Sequence, residues 1–336
     1  MLVSVFGRAS AIGSWPGVQV VEAARIVMGE LSAPAVPHLV ELPARGPGSD
    51  LIGRGAVFLV DLPVDLQPSG WRLVNRPGRD LERAQAMLRQ DLDVLAEVAE
   101  NYAGPLKVQV AGPWTLSASL YLPRLERAVV DAGACRDIVA ALAEGVADHV
   151  AAVRRLVPGA EVVVELDEPW VDAVLAGRLA TASGFGRLRA VEEHVVVSGL
   201  ADVLTAARAA GAVHTVVHSC AAGVPVDVLG RSGAEGLSVD VSLLGVRGWE
   251  ALAPRLESGT WLWAGAVPTS EPLPDTAAAA DAVWRPWRRL GLDPLLLERV
   301  VVTPTCGLGS CGPATARAVL TRCVAAGREL AARAQG

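Results

Sequence analysis

EVVVELDEPW, residues 161–170, is the stretch on which the reading of the fold turns. Its short β-branched run is that of a strand buried in a parallel sheet, and Pro169 stops it. Directly before the stop stand two carboxylates, Asp167 and Glu168. Adjacent strand residues face opposite sides, so at most one of them points to the interior. There it could grip the ammonium group of an amino acid, while a carboxylate at this place could equally cap a helix N-terminus. Residue type leaves both roles open.

Working outward, seven further runs have the same character: VSVF (3–6), AVFLV (56–60), KVQVA (107–111), HTVVH (214–218), GLSVDV (236–241), WLWAGAV (261–267) and RVVVTP (299–304). Between them lie Ala/Leu/Arg-rich stretches of helical period at 19–30, 80–102, 135–156, 199–210, 249–256, 276–290 and 313–332. Eight strands alternating with helices close a parallel barrel. The expected fold is therefore α/β, a single (β/α)8 TIM barrel occupying 1–336 as one domain. Residues 34–50, with PARGPGSD inside them, show no period and are expected to loop over the barrel mouth.

Composition narrows the function. A net charge of -6, from 30 basic and 36 acidic residues, provides no concentrated basic field for nucleic acid. The opening MLVSVFGRAS lacks the charged and apolar regions of a secretory signal, and no apolar stretch is long enough to span a bilayer. Five cysteines, an odd number, argue against a disulfide framework and for a reducing, cytoplasmic setting.

In such a barrel the chemistry sits where the strands end. There the chain places AIGSWPG (11–17), AGPWT (111–115), LDEPW (166–170), HSC (218–220), Asp240 and PTCG (304–307). In a strand, residues i and i+2 share a side, so His218 and Cys220 can offer a nitrogen and a thiolate to one metal ion. Cys306 could supply a second sulfur and Asp240 an oxygen. That donor set suits zinc, with a position left for a thiol substrate, which the ion would deprotonate. HxC alone would equally describe a packed histidine and a buried cysteine. Glu41, Arg45 and Arg72 are either substrate contacts or solvated surface. Cys135 and Cys323, in helical runs, read as core or surface thiols.

The ordered set IGSWP, GPWT, LDEP, HSC and PTCGL resembles the C-terminal catalytic barrel of the cobalamin-independent methionine synthase family, which reads IGSFP, GPVT, IDEPAL, HMC and PDCGL. The same barrel type occurs in uroporphyrinogen decarboxylases, whose Arg-rich N-terminal signature is missing here. The resemblance implies a Zn2+-dependent methyltransferase that forms methionine from homocysteine. It implies zinc ligands His218, Cys220 and Cys306, with Asp240 where the family has glutamate. It implies homocysteine contacts from Ile12, Gly13, Ser14, Asp167 and Glu41.

The family chain is about twice as long, with an N-terminal half that helps hold a folate. Here SASLYLP (117–123) has no pterin-packing tryptophan, and AVPTSEP (266–272) has no histidine proton donor. Short single-barrel relatives imply a methylated corrinoid protein as partner in place of 5-methyltetrahydropteroyl-glutamate. The alternatives are a catalytically silent relative that binds zinc and an amino acid, and a zinc thiol transferase acting on another small thiol.

Overall fold

The computed structural model describes residues 5–123 and 126–335. The order is β1 (Arg8–Ala9), α1 (Val20–Glu30), α2 (Leu51–Ala56), β2 (Val64–Gln67), β3 (Gly70–Leu73), α3 (Arg79–Val98), β4 (Gly104–Ala111), α4 (Pro113–Ser119), α5 (Ala132–Leu156) and β5 (Ala160–Asp167). It continues with α6 (Val171–Leu175), α7 (Glu193–Ala209), β6 (His214–Ser219), α8 (Val226–Arg231), β7 (Gly236–Asp240), α9 (Gly245–Glu257), β8 (Trp261–Val267), α10 (Thr276–Arg289), β9 (Val300–Pro304) and α11 (Pro313–Gln335). Seven strands form one parallel sheet in the order β1-β9-β8-β7-β6-β5-β4, and β2 and β3 form a separate hairpin.

The two edges of that sheet, β1 and β4, are joined by a segment that is not a regular strand. Val36 N donates to Ala9 O at 2.7 Å, Lys107 N to Pro37 O at 2.8 Å, Leu39 N to Lys107 O at 2.9 Å and Glu41 N to Gly13 O at 3.1 Å. Residues 36–41 therefore take the place of the second strand and complete the (β/α)8 barrel. The expectation of a mouth loop over 34–50 holds only beyond residue 41. Pro37 has no N–H to give to a ladder, which helps keep the segment irregular and hides it from a period count.

Two other strand assignments also fall. Val3 and Ser4 of VSVF lie outside the described residues, Val5 and Phe6 are not in a strand, and the first strand is Arg8–Ala9. AVFLV (56–60) is the end of α2 and the turns after it, stitched by Val57 N to Arg54 O, Phe58 N to Gly55 O and Leu59 N to Ala56 O. Its apolar side chains are buried against α5: the Phe58 ring lies 4.8 Å from that of His149. A short apolar run reads the same in either state, and packing decides it.

Alternation along the strands separates two cores. Val163, Val216, Trp261, Trp263 and Val301 cluster with Val36 inside the barrel, whereas Val162, Val164, Val217, Leu262 and Val302 belong to the larger layer under the helices. His214, at the foot of β6, packs edge-on against Trp261 with centroids 5.2 Å apart, a structural role. Cys135 and Cys323 are buried in α5 and α11. Among the described residues no helix is long and apolar enough to cross a membrane.

A Cβ at Gly145 of α5 would strike the Phe58 carbonyl oxygen and lie 2.7 Å from its carbon. Helix propensity alone makes Gly→Ala a gain of up to about 1 kcal/mol. The close approach reverses the sign, and Gly145→Ala is expected to cost about 1–3 kcal/mol, read as a lower unfolding temperature.

Candidate functional site

At the C-terminal ends of the strands lies a cavity of about 280 Å3 whose wall contains Ile12, Ser14, Glu41, Asp167, His218, Cys220 and Cys306, completed by Pro43, Ser49, Leu51, Pro169 and Gly307. Parallel register puts them together: Ala111 stands beside Asp167, Asp167 beside His218, and His218 beside Ser238. A larger groove of about 1060 Å3 between α5 and α7 is mainly apolar, with its charged groups exposed at the rim. The smaller cavity is where titratable groups converge.

Part of its wall is sulfur. Cys220 Sγ and Cys306 Sγ are 3.5 Å apart. The Cys220 S–H donated to Cys306, helped by the Gly307 N–H, pulls the Cys306 thiol down to about 6 against the effect of burial. The same contact, with burial, pushes Cys220 up. The pair thus holds one negative charge at neutral pH. His218 Nδ1 lies 2.9 Å from Ser238 Oγ and 3.2 Å from the Ser238 carbonyl. A carbonyl only accepts, so Nδ1 carries the hydrogen and Nε2 keeps its lone pair. Burial, with the Lys107 charge nearby, pushes the imidazole down to about 3, which keeps it neutral.

These donors fit zinc in type: a neutral imidazole and two sulfurs, one of them anionic. Sulfurs at about 2.3 Å from a tetrahedral ion stand about 3.8 Å apart, and the observed pair is slightly closer. As placed, no three His, Cys, Asp or Glu side chains among the described residues converge as a ligand set. Asp240 does not line the cavity: its Oδ1 accepts from Ser242 N at 2.9 Å and from Ser242 Oγ at 2.6 Å. Cys311 Sγ is directed to the Thr269 carbonyl at 3.1 Å.

The same wall also carries carboxylates. Asp167 is buried in the cavity wall, and its Oδ1 has no hydrogen-bond partner among the described residues. Burial first, then the charges of Glu165, Glu41 and Cys306, raises its pKa against the pull of Lys107. Glu41 is likewise raised by burial, opposed mainly by Arg54. Glu168, facing the other way, accepts from Trp114 N at 2.9 Å, Thr115 N at 2.7 Å and Thr115 Oγ1 at 2.8 Å. It therefore caps α4, and burial lifts it to about 7 against those bonds. Of the pair at 167–168, Glu168 takes the capping place and Asp167 faces the cavity.

The loop AIGSWPG is laced to both neighbours. Trp15 N donates to Glu41 O at 2.8 Å, Leu308 N to Ser14 O at 3.1 Å, and Gly309 N to Ser14 Oγ at 3.1 Å. Gly13 sits where a Cβ would come within 2.6 Å of the Gln109 side chain. Arg72 is not part of the cavity; it lies in the β2–β3 hairpin, where it pairs with Asp65 and bridges to Tyr121. Arg45 too stands outside the cavity wall, on Asp91.

Sequence reading misses Lys107, whose only distinction there is to be the sole lysine. It is fully buried, with Nζ 2.5 Å from Glu165 Oε1 and 2.6 Å from the Ile12 carbonyl. Its position inside an apolar strand was the available signal. Asp91, buried on α3, was equally hidden, because its partners are 37 and 46 residues away.

A family model described as "Cobalamin-independent synthase, Catalytic domain" matches residues 8–329. Among solved structures, a B12-independent methionine synthase from Shewanella sp. W3-18-1, in complex with selenomethionine, has a TM-score of 0.64 at 13% identity, covering 98% of this chain and 99% of that one. That likeness shows the barrel fold. GH5_18 from Streptomyces cattleya, in complex with GlcNAc, has a TM-score of 0.46 at 15% identity over 99% of this chain and 81% of that one, too loose to inform the argument. No curated protein has significant sequence similarity to the chain.

Two outcomes follow from the geometry. In metal-stripped protein, alkylation of Cys306 by iodoacetamide is expected to rise with pH around a midpoint near 6, as the thiolate forms. In Cys220→Ala that midpoint should move up toward the ordinary thiol range, because the S–H donor is gone. Lys107→Met, which strands Glu165, is expected to cost about 3–5 kcal/mol in denaturant unfolding, with much of it recovered in Lys107→Met/Glu165→Leu.

Proposed function

The chain belongs to the cobalamin-independent synthase catalytic-domain family, and from that membership we propose that it is a zinc-dependent methyltransferase forming methionine from homocysteine. The observation that carries this reading is that one cavity wall holds both kinds of group. It contains Cys220, Cys306 and His218 together with Glu41 and the unpartnered Asp167 oxygen. A thiol amino acid needs both kinds at once. The Shewanella protein bears the name methionine synthase on a chain covered over 99% of its length, and its complex contains selenomethionine, the selenium analogue of the product.

His218 Nε2, Cys220 Sγ and Cys306 Sγ would hold the ion. A zinc ion bound there supplies the loss of the substrate thiol's proton near neutral pH. The remaining work belongs to the chain. Asp167 and Glu41 take the substrate ammonium, which neutralises carboxylates that burial alone disfavours as anions. Ser14 and the backbone at Gly13 border the substrate carboxylate, and Ile12 packs against its methylenes. Ser238 keeps the His218 hydrogen on Nδ1 and so keeps Nε2 available. Holding sulfur and ammonium at fixed places aims the thiol at the open mouth, where a methylated folate or corrinoid donor enters.

Purified protein is expected to contain about one zinc per chain, lost in Cys306→Ala, and to form methionine from homocysteine with one of those donors. Asp167→Asn should weaken homocysteine binding by roughly 10–100-fold with zinc content unchanged, since a hydrogen bond to a charged group is lost. Full zinc content and full methionine formation by Cys220→Ser would overturn the metal assignment. Zinc-loaded wild type that binds homocysteine yet makes no methionine with any donor would leave the chain an amino-acid-binding relative instead.

A further inference from the structure

Behind Glu41 a line of buried charges leads out of the cavity to helix α3. Arg54 Nε is 3.3 Å from Glu41 Oε1, Arg54 NH1 is 2.5 Å from Asp91 Oδ2, and Arg45 NH2 is 2.7 Å from that same oxygen. None of the four side chains is more than 10% exposed. Asp91 lies on the inward face of α3, beside Leu88, Val94 and Leu95, where an apolar residue would ordinarily stand.

The geometry of Arg54 explains what the carboxylate does there. Its NH1 hydrogen-bonds Asp91, whereas Nε and NH2 have no hydrogen-bond partner among the described residues. Arg54 is therefore close enough to Glu41 to offset its charge, yet does not hydrogen-bond it. A guanidinium released beside a carboxylate closes onto it in a bidentate pair. Here the NH1 tether to Asp91 opposes that closure, and Arg45 on the same oxygen fixes Asp91 in turn.

We propose that Asp91 is a positioning residue for amino-acid binding: by holding Arg54 through NH1 it keeps the guanidinium, 3.3 Å from Glu41, from closing into a bidentate pair on it, and so leaves a carboxylate oxygen to the ammonium of the substrate. The proposal rests on the reading of Glu41 as an ammonium contact. It assigns a binding role to a residue on an outer helix that does not border the cavity.

The test is calorimetric titration of zinc-loaded protein with homocysteine and with 4-mercaptobutanoate, the same thiol acid without the amino group. In Asp91→Ala, which removes the acceptor, Arg54 closes onto Glu41, so homocysteine affinity is expected to fall at least about tenfold while 4-mercaptobutanoate affinity changes less than about twofold. Asp91→Ala/Arg54→Gln, which removes the freed guanidinium, should regain affinity for homocysteine. Equal losses for both ligands, or no loss for either, would overturn the role of Asp91. If Asp91→Ala does not fold, Arg45→Gln decides. It gives Asp91 wholly to Arg54 and should leave homocysteine affinity at or above that of the wild type, and a loss confined to homocysteine would overturn the proposal. A wild type that does not distinguish the two ligands would sink the ammonium reading itself, and this proposal with it.

Discussion

The Lys107–Glu165 pair is the interaction on which the rest of this barrel depends. Burying an ammonium and a carboxylate costs several kcal/mol each unless they are matched, and here they are matched at 2.5 Å with no exposure. The second contact of Lys107, the Ile12 carbonyl, reaches across the segment that stands in for the second strand. The backbone of the same residue pairs with Pro37 and Leu39 of that segment. One side chain and its peptide groups thus join β4, β5, the loop after β1 and the irregular part of the barrel wall. The part of the cavity wall that carries Ile12, Ser14, Glu41 and Asp167 is built on those four pieces.

The barrel interior has an apolar part and a polar part. Trp261, Trp263, Val163, Val216 and Val301 form the apolar part. Lys107, Gln109, Glu165 and Ser238 form a polar layer beside them on strands of the same sheet, all buried. That layer supports the groups that line the cavity: Ser238 orients His218, and Lys107 holds the loop that carries Ser14. Burial raises Asp167 and lowers His218, with the Glu165 charge adding to the first shift and the Lys107 charge to the second, so both groups are held toward their neutral forms.

How much of this could be read in the sequence depended on whether a feature was local. β5 and β6 were legible because valine runs are bounded by residues that end strands, and the HSC and LDE groups follow at strand spacing. AVFLV failed for want of anything local to oppose it: only its contact with α5 makes it a turn. The segment 36–41 failed for the opposite reason, since its bonds to β1 and β4 are too few and too irregular to leave a period. At the site, Asp167, His218, Cys220 and Cys306 are gathered into one cavity from motifs visible in the sequence, whereas Asp240 and Arg72 lie outside it because side-chain direction is settled by nearby hydrogen bonds and a hairpin. Arg54 and Asp91 carry no motif at all.

The split between Asp167 and Glu168 makes the length of β5 as constrained as its composition. One carboxylate faces the cavity and its neighbour caps α4, so the strand carries two instructions that differ only in parity. Deleting or inserting one residue between Ala160 and Leu166 would slip the register and exchange the faces. The capping carboxylate would turn inward and the cavity carboxylate outward, with every valine of the run moved to the wrong core. A frame change in β5 dismantles the cavity wall and the helix start together.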